Sequence, residues 1–442
     1  MTSPWSRSTT WTDGELSIAG VPVSTLAARF GTPSYVLDVD DLRSRCRDVV
    51  TAAHRAGEQH GIETAVYYAS KAFSSTAVLR WAHAEGLRVD VASLGELATA
   101  LRAEVPGAAI GLHGNNKSEE EIDLALQHGV GRIVIDSIPE IELVAERAAA
   151  AGVVAPVMVR VTTGVHAGGH EYIATAHEDQ KFGLSLATGA AAEAVEAILQ
   201  TPQLTLLGLH SHIGSQIFAA DGFVESARAL FRLRSEIAAA SGVLLPELDL
   251  GGGFGVAYTP DDDAPDVPAL VAELVATVAR VAAETGEPAP ALSFEPGRSL
   301  VGPAMTTLYR VGTVKPVRLE GGGERLYVSV DGGMSDNIRT VLYDATYTAV
   351  LASRTADAEA VLSRVVGKHC ESGDIVVRDV MLPADIRRGD LLAVPVTGAY
   401  GRSLASNYNQ LPRPGVVAVG DGEPREIVRR ETIDDLLALD VG

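Results

Sequence analysis

A chain of 442 residues that is 46% apolar can bury one large α/β domain plus a smaller one, which excludes global disorder. Its formal net charge of −21 repels nucleic acid and anionic membrane surfaces. Cys46 and Cys370, the two cysteines, offer neither a disulfide framework nor a zinc knuckle, and no stretch is long and apolar enough to span a bilayer. The opening MTSPWSRSTTWTDGELSIAG lacks the apolar centre of a secretion signal, so the chain reads as soluble and cytoplasmic, without nucleic-acid or membrane partners.

In chain order, ELSIAGVPV is a strand that precedes the main repeat and is expected to join a later β domain. From residue 64 a period sets in: a short β-branched run, a turn, then an Ala- and Glu-rich helical pattern. The runs fall at 65–70, 88–93, 109–114, 132–137, 156–161, 206–212, 248–253 and 291–296. Helices such as STAVLRWAHAEG, GELATALRAE and EAVEAILQ separate them. Ser118 with Glu121 spells a capping box, and Pro139 suits a first helical position. Strands that read as continuous apolar runs are buried on both faces, and eight strand–helix units predict a (β/α)8 TIM barrel over 36–304. An open doubly wound sheet is the alternative. The DDDAPD stretch at 261–266 reads as a surface loop. After residue 304, YRVGTVKPVRL, RLYVSVDGG, AVLSRVVGKH, DIVVRDVML and LLAVPVTGAY are strand-like, with Gly321, Gly322 and Gly323 as a hairpin turn. They predict an all-β, barrel-like domain over 305–442, with residues 1–35 packing against it.

In a TIM barrel, chemistry sits at the C-terminal ends of the strands. Those ends here carry Lys71, Asp90, His113, Asp136, Arg160, His210, His212, the glycines 251–253 and Glu295. Lys71 follows an apolar run directly, so partial desolvation is expected to lower its pKa and make its amine a nucleophile toward carbonyls. GGGFG at 251–255 and EPGR at 295–298 close the last two strands, the usual phosphate site of this fold. A Schiff-base lysine, a phosphate cradle and an acid able to pair with a pyridinium nitrogen point to pyridoxal 5′-phosphate. The two histidines of HSHIG find no third ligand at a recognised spacing, so no metal is expected.

At this point the residues resemble a known family. YYASKAF, DVASLGEL, GNNKS, QKFGL, HSHIGSQ, LDLGGGFG, FEPGRSLV, DGGMSDNIR, GKHCESGD and GAYGRSLASNYN are similar, in order, to motifs of the fold-type III, alanine-racemase-like barrel decarboxylases. The resemblance runs over nearly the whole chain and lies with the branch acting on meso-diaminopimelate. It implies that Lys71 carries the cofactor, His212 stacks on its ring, and Ser215 lies by its phosphate. Gly252, Gly253, Gly297 and Arg298 would hold that phosphate, Glu295 would pair with the ring nitrogen, and Asp90 and Tyr400 would line the same pocket. Arg298, Arg339 and Tyr343 would grip the carboxylate at the substrate's far end, with Glu371 on the distal ammonium and Tyr400 nearby. Guanidinium groups suit that task because they bind carboxylates bidentately. The family's prolines around the arginine are here Ile338 and Thr340, which leaves the guanidinium in place.

The implied activity is decarboxylation of meso-diaminopimelate to L-lysine and carbon dioxide, the last step of lysine biosynthesis. Cys370 is the implied proton donor, since a thiol with a reference pKa of about 8.5 is mostly protonated at neutral pH. The family completes its pocket across a homodimer, so Cys370 and Glu371 are expected to serve the partner's site. A same-fold ornithine or arginine decarboxylase is the nearest rival. Its substrates end in a cation, however, and the related ornithine enzymes read CDG where this chain has CES. A non-catalytic pyridoxal-phosphate homologue is the rival of another class, but it would be expected to have lost Lys71 or Cys370, and carriers of this fold usually lack the β domain.

Overall fold

Val, Ile and Leu dominate the short strands of the repeat, and in Arg132–Ile135 every residue is buried. That pattern fits a parallel sheet covered on both faces. In the computed structural model, which describes residues 3–165 and 181–442, the strands Thr64–Ala69, Arg88–Val91, Ile110–Leu112, Arg132–Ile135, Ala155–Thr162, Leu204–His210, Glu247–Asp249 and Ala291–Phe294 pair in parallel, each with the next. The last pairs with the first, Leu292 opposite Thr64, so the sheet is closed and the open alternative is excluded. Leu184–Ser185 adds a short strand beside Ala155–Thr162. Gln180 of the QKFGL motif lies outside the described residues.

The helices between the strands start where local chemistry says they should. Ser75 and Ser93 accept the N–H groups of Val78 and Glu96, and Ser118 and Glu121 form the reciprocal capping box. Pro139 occupies the first turn of Ile138–Ala151, which ends at Gly152 in the left-handed conformation, φ 69°.

The chain forms two compact units: Arg45–Gly255 with Pro265–Ser299, which holds the barrel, and Met1–Ser44 with Val256–Ala264 and Leu300–Gly442. The second is built on the long strand Met305–Arg318, which turns through Gly321, Gly322 and Gly323, all at positive φ, into Glu324–Val330. ELSIAGVPV does not extend this sheet. Its Glu15–Ile18 pairs with Thr10–Thr12 and Val21–Pro22 in a separate three-stranded sheet, tied to the β unit by Leu16 N–H donating to Ala352 O at 2.8 Å. The strand that joins the large sheet is Ser34–Asp38, fully buried and inserted between Met305–Arg318 and Val416–Val419. Residues 261–266 stay near the surface, but just upstream Val256 and Tyr258 enter the apolar core of the β unit. Asp262 holds that approach by accepting the N–H groups of Tyr258 and Thr259, both at 2.8 Å.

One glycine in the barrel wall is a steric requirement. Strand Leu204–His210 shifts register between Leu206 and Gly208, and a Cβ at Gly208 would fall 1.9 Å from Glu247 O on the neighbouring strand. Backbone cannot yield as a side-chain tip can, so Gly208→Ala is expected to destabilise the protein by about 2 kcal/mol or more. Urea denaturation of wild type and variant checks this, and an unchanged midpoint would contradict it.

Candidate active site

The barrel's C-terminal end gathers two carboxylates and two imidazoles within hydrogen-bonding range. Glu295 follows the strand Ala291–Phe294, His113 follows Ile110–Leu112, and His210 ends Leu204–His210. His113 Nε2 lies 3.1 Å from Glu295 Oε1 and 3.3 Å from Asp90 Oδ1, and His210 Nε2 lies 3.2 Å from Glu295. Burial alone would push Glu295 toward neutrality, yet the two imidazoles outweigh it and hold the carboxyl well below its ordinary range. Burial and the nearby Glu295 charge raise Asp90 to about 7. His113 works against its own burial, because Glu295 and Asp90 lift it to about 9. Burial lowers His210, which sits edge-on to His113 at 5.1 Å. The cluster therefore carries an ionised Glu295, a protonated His113 and a neutral His210 around neutrality.

Beneath it lies a residue the sequence reading passed over. Arg132 begins its strand and is 1% exposed, with its guanidinium on Asp249 at 2.5 Å, Glu247 at 2.9 Å and Ser293 Oγ at 3.1 Å. It stacks over the Tyr67 ring at 3.6 Å and stands 3.8 Å from both Asp90 and Glu295. His113, His210 and Glu295 each place a potential metal-ligand atom within 4.8 Å of the others. Arg132 stands 3.8 Å from Glu295 beside the trio, in which the two imidazoles clamp the acid.

The glycine loop beside the clamp is bare because it must be. A Cβ at Gly251, Gly252 or Gly253 would fall 2.4, 2.0 or 2.2 Å from the carbonyl oxygens of Ser211, Glu295 and Gly214. Gly251 and Gly253 also hold φ at 68° and 105°. Gly297 is close against Ala69 O, 2.8 Å from the position of a Cβ. Gly252 N–H donates to His212 Nδ1 at 3.3 Å, so this ring's proton belongs on Nε2. Desolvation, then the charges of Lys71 and Arg160, hold His212 well below its ordinary pKa and neutral. Arg298, buried, donates to Ser215 Oγ at 2.9 Å. Lys71 stands on the single 3-10 turn Ser70–Ala72 and is exposed. That turn directly follows the strand Thr64–Ala69, and the Lys71 charge is felt by the His212 ring. These residues fit pyridoxal phosphate: an amine for its aldehyde, a side-chain-free glycine loop and a guanidinium for its phosphate, and a buried, ionised acid for its ring nitrogen.

The β unit holds the other sequence-derived residues in two groups. Arg339, 5% exposed, opens the short helix Arg339–Leu342 and is ringed by tyrosines, with Tyr258, Tyr347 and Tyr343 centroids 4.8, 5.9 and 6.0 Å from its guanidinium carbon. It donates to the hydroxyls of Tyr258 and Tyr347, while its Nε has no hydrogen-bond partner among the described residues. No carboxylate pairs with it among those residues. Tyr400 adopts φ 60°, a strained conformation for a bulky side chain and a common mark of functional positions. Cys370 and Glu371 are exposed on loop 367–374, where Glu371 Oε1 accepts the Gly373 N–H at 3.2 Å.

Comparison with known proteins agrees with this geometry. The pyridoxal binding domain of the pyridoxal-dependent decarboxylases matches residues 46–302, which sets the class of protein. A diaminopimelate decarboxylase of Mycobacterium tuberculosis is 51% identical over 442 residues, covering 99% of this chain and 97% of the relative. That of Bacillus subtilis is 46% identical over 428 residues, covering 97% and 95%. The crystal structure of diaminopimelate decarboxylase from M. jannaschii with L-lysine superposes at a TM-score of 0.92, with 32% identity over 99% of this chain and 98% of the other. The chain belongs to the pyridoxal-dependent decarboxylases, among the diaminopimelate decarboxylases.

The clamp has a pH signature. The folded-state pKa of His113 is raised from 6.5 to about 9, so the protein binds this proton more tightly than the unfolded chain does. Its contribution to stability is fully present below about 6.5 and is lost as pH rises through about 9, a swing of about 3 kcal/mol. Between pH 7.5 and 9.5, above the titration of Asp90, wild type is expected to lose stability more steeply than His113→Gln. Urea midpoints of both proteins across that window measure it, and parallel curves would refute the assignment.

Proposed function

We propose that this chain decarboxylates meso-diaminopimelate to L-lysine and carbon dioxide, the closing step of lysine formation, with pyridoxal 5′-phosphate bound at Lys71. The observation that carries the substrate reading is Arg339: a buried guanidinium amid three tyrosines with no carboxylate partner among the described residues. A buried cation left without its counter-charge is costly, and a site built around one is suited to a carboxylate delivered by the ligand. Substrates ending only in a cation, such as ornithine or arginine, would meet repulsion there. Arg298 and Tyr343 would share the grip on that carboxylate, and Glu371 would take the neighbouring ammonium.

The bound cofactor supplies an electron sink for the pair left when the carboxylate departs. Lys71 would hold the group through its amine, the aldehyde oxygen leaving as water. Glu295, held ionised by His113 and His210, would accept a hydrogen bond from the ring N–H and keep that nitrogen protonated. His212, neutral and fixed by Gly252 N–H, would lie flat against the ring as an uncharged surface. Gly252, Gly253, Gly297, Arg298 and Ser215 would hold the phosphate, with Asp90 and Tyr400 lining the pocket. Cys370 Sγ–H would then hand a proton to the substrate carbon, which fixes one face of protonation. We place the enzyme in the cytoplasm as a homodimer in which Cys370 and Glu371 complete the partner's site; the exposure of both in the single chain supports this. Among the described residues no helix is long and apolar enough to cross a membrane.

Carbon dioxide release from meso-diaminopimelate, ornithine and arginine is the deciding assay, with release from the first expected to exceed the others by about 100-fold or more in kcat/KM, because a missing polar partner leaves buried groups unpaired. Preference for either other substrate overturns the reading. Cys370→Ala is expected to keep the cofactor's visible absorbance and its borohydride fixation at Lys71 while losing about 100-fold or more in kcat. Loss of the absorbance instead would sink the proton-donor role.

A further inference from the structure

Cys370 is exposed, so packing of its side chain does not fix where the thiol points. Its main chain is held instead, from two sides. On one side Asp374 gathers three donors: the His369 N–H at 2.8 Å, the His369 ring Nδ1 at 3.0 Å and the Met334 N–H at 2.6 Å. Two glycines make room for that carboxylate. A Cβ at Gly367 would lie 2.2 Å from Asp374 Oδ2, and one at Gly333 would lie 2.4 Å from Oδ1. On the other side the His369 ring stacks on Tyr408, centroids 5.6 Å apart and planes within 1°. The next residue along each segment makes the second link, in which Asn409 Oδ1 accepts the Cys370 N–H at 2.9 Å.

Asn409 meets two demands at once. Its backbone stands at φ 52°, ψ 27°, the left-handed region that asparagine tolerates and most L residues do not. Its side chain supplies the oxygen that the Cys370 N–H needs. We propose that Asn409 is the positioning residue for Cys370: by fixing the main chain that bears the thiol, it delivers the Sγ proton to one place. The proposal rests on the reading of Cys370 as proton donor.

The two demands can be separated by substitution in the full-length holoenzyme. Asn409→Gly keeps the left-handed backbone and removes the acceptor, whereas Asn409→Asp keeps both. N409G is expected to lower kcat about 10- to 100-fold with KM for meso-diaminopimelate within about threefold, and N409D to retain most of the rate. In a Cys370→Ala background N409G should change nothing further, because it acts through the thiol; a general loss of structure would add to the C370A defect. Alkylation gives a readout independent of turnover. Cys46 is fully buried, so iodoacetamide reports on Cys370, and its rate in N409G should depart from wild type by more than about threefold. An N409G enzyme with wild-type kcat and alkylation rate, or an N409D enzyme as slow as N409G, overturns the proposal. A C370A enzyme that still turns over refutes the proton-donor reading itself, while a dead C370A beside an unimpaired N409G refutes the positioning role alone.

Discussion

A carboxylate kept charged where burial would neutralise it is the constraint around which the barrel end is arranged. Glu295 is 7% exposed and would lose its charge if left alone among apolar strands. Two imidazoles close on it, one of them protonated, and a second acid, Asp90, shares the protonated ring. Adding that second acid raises the electrostatic cost, which Arg132 offsets from below while it also neutralises Asp249 and Glu247. Four acids, one guanidinium and a titrating imidazole thus form one balanced system in the barrel interior. Removing any member redistributes protons among the rest.

The same economy governs the backbone around the clamp. The three glycines 251–253 are crowded by carbonyl oxygens of neighbouring strand ends, so the loop can pass only without side chains. The N–H groups of that loop are put to use: Gly251 donates to Asp249 Oδ1 at 2.7 Å, and Gly252 fixes the tautomer of His212. In the β unit the logic is reversed: Arg339 is surrounded by aromatic side chains that stabilise its charge through π faces and hydroxyls yet leave its ion-pairing capacity unspent.

Much of this is legible in the sequence. The eight strands, the capping box at Ser118 and the strand-end placement of Lys71, Asp90, His212 and Glu295 follow from periodicity and from where apolar runs stop. What escaped has physical reasons. Arg132 begins a strand rather than ending one, and a single arginine before an apolar run looks like a surface residue; only barrel closure turns it inward onto Asp249. His113 and His210 were visible as strand-end residues, but their joint hold on Glu295 depends on strands far apart in sequence. The one-turn helix that carries Lys71 is a detail that apolar patterning does not encode. ELSIAGVPV has the pattern of a sheet strand, and the alternation does not say which sheet it joins.

The strand Ser34–Asp38 imposes an order of events on synthesis. Its two neighbours are Met305–Arg318 and Val416–Val419, so a segment emerging among the first forty residues must wait for nearly the entire chain before its hydrogen bonds are satisfied. The barrel, by contrast, has its last strand once Phe294 has appeared. On a ribosome adding residues one by one, the barrel strands can pair before the two segments that complete the sheet around Ser34–Asp38 have both appeared. Any truncation before Val416 leaves an apolar strand edge unpaired, which makes the last stretch of sequence the fastener of the first.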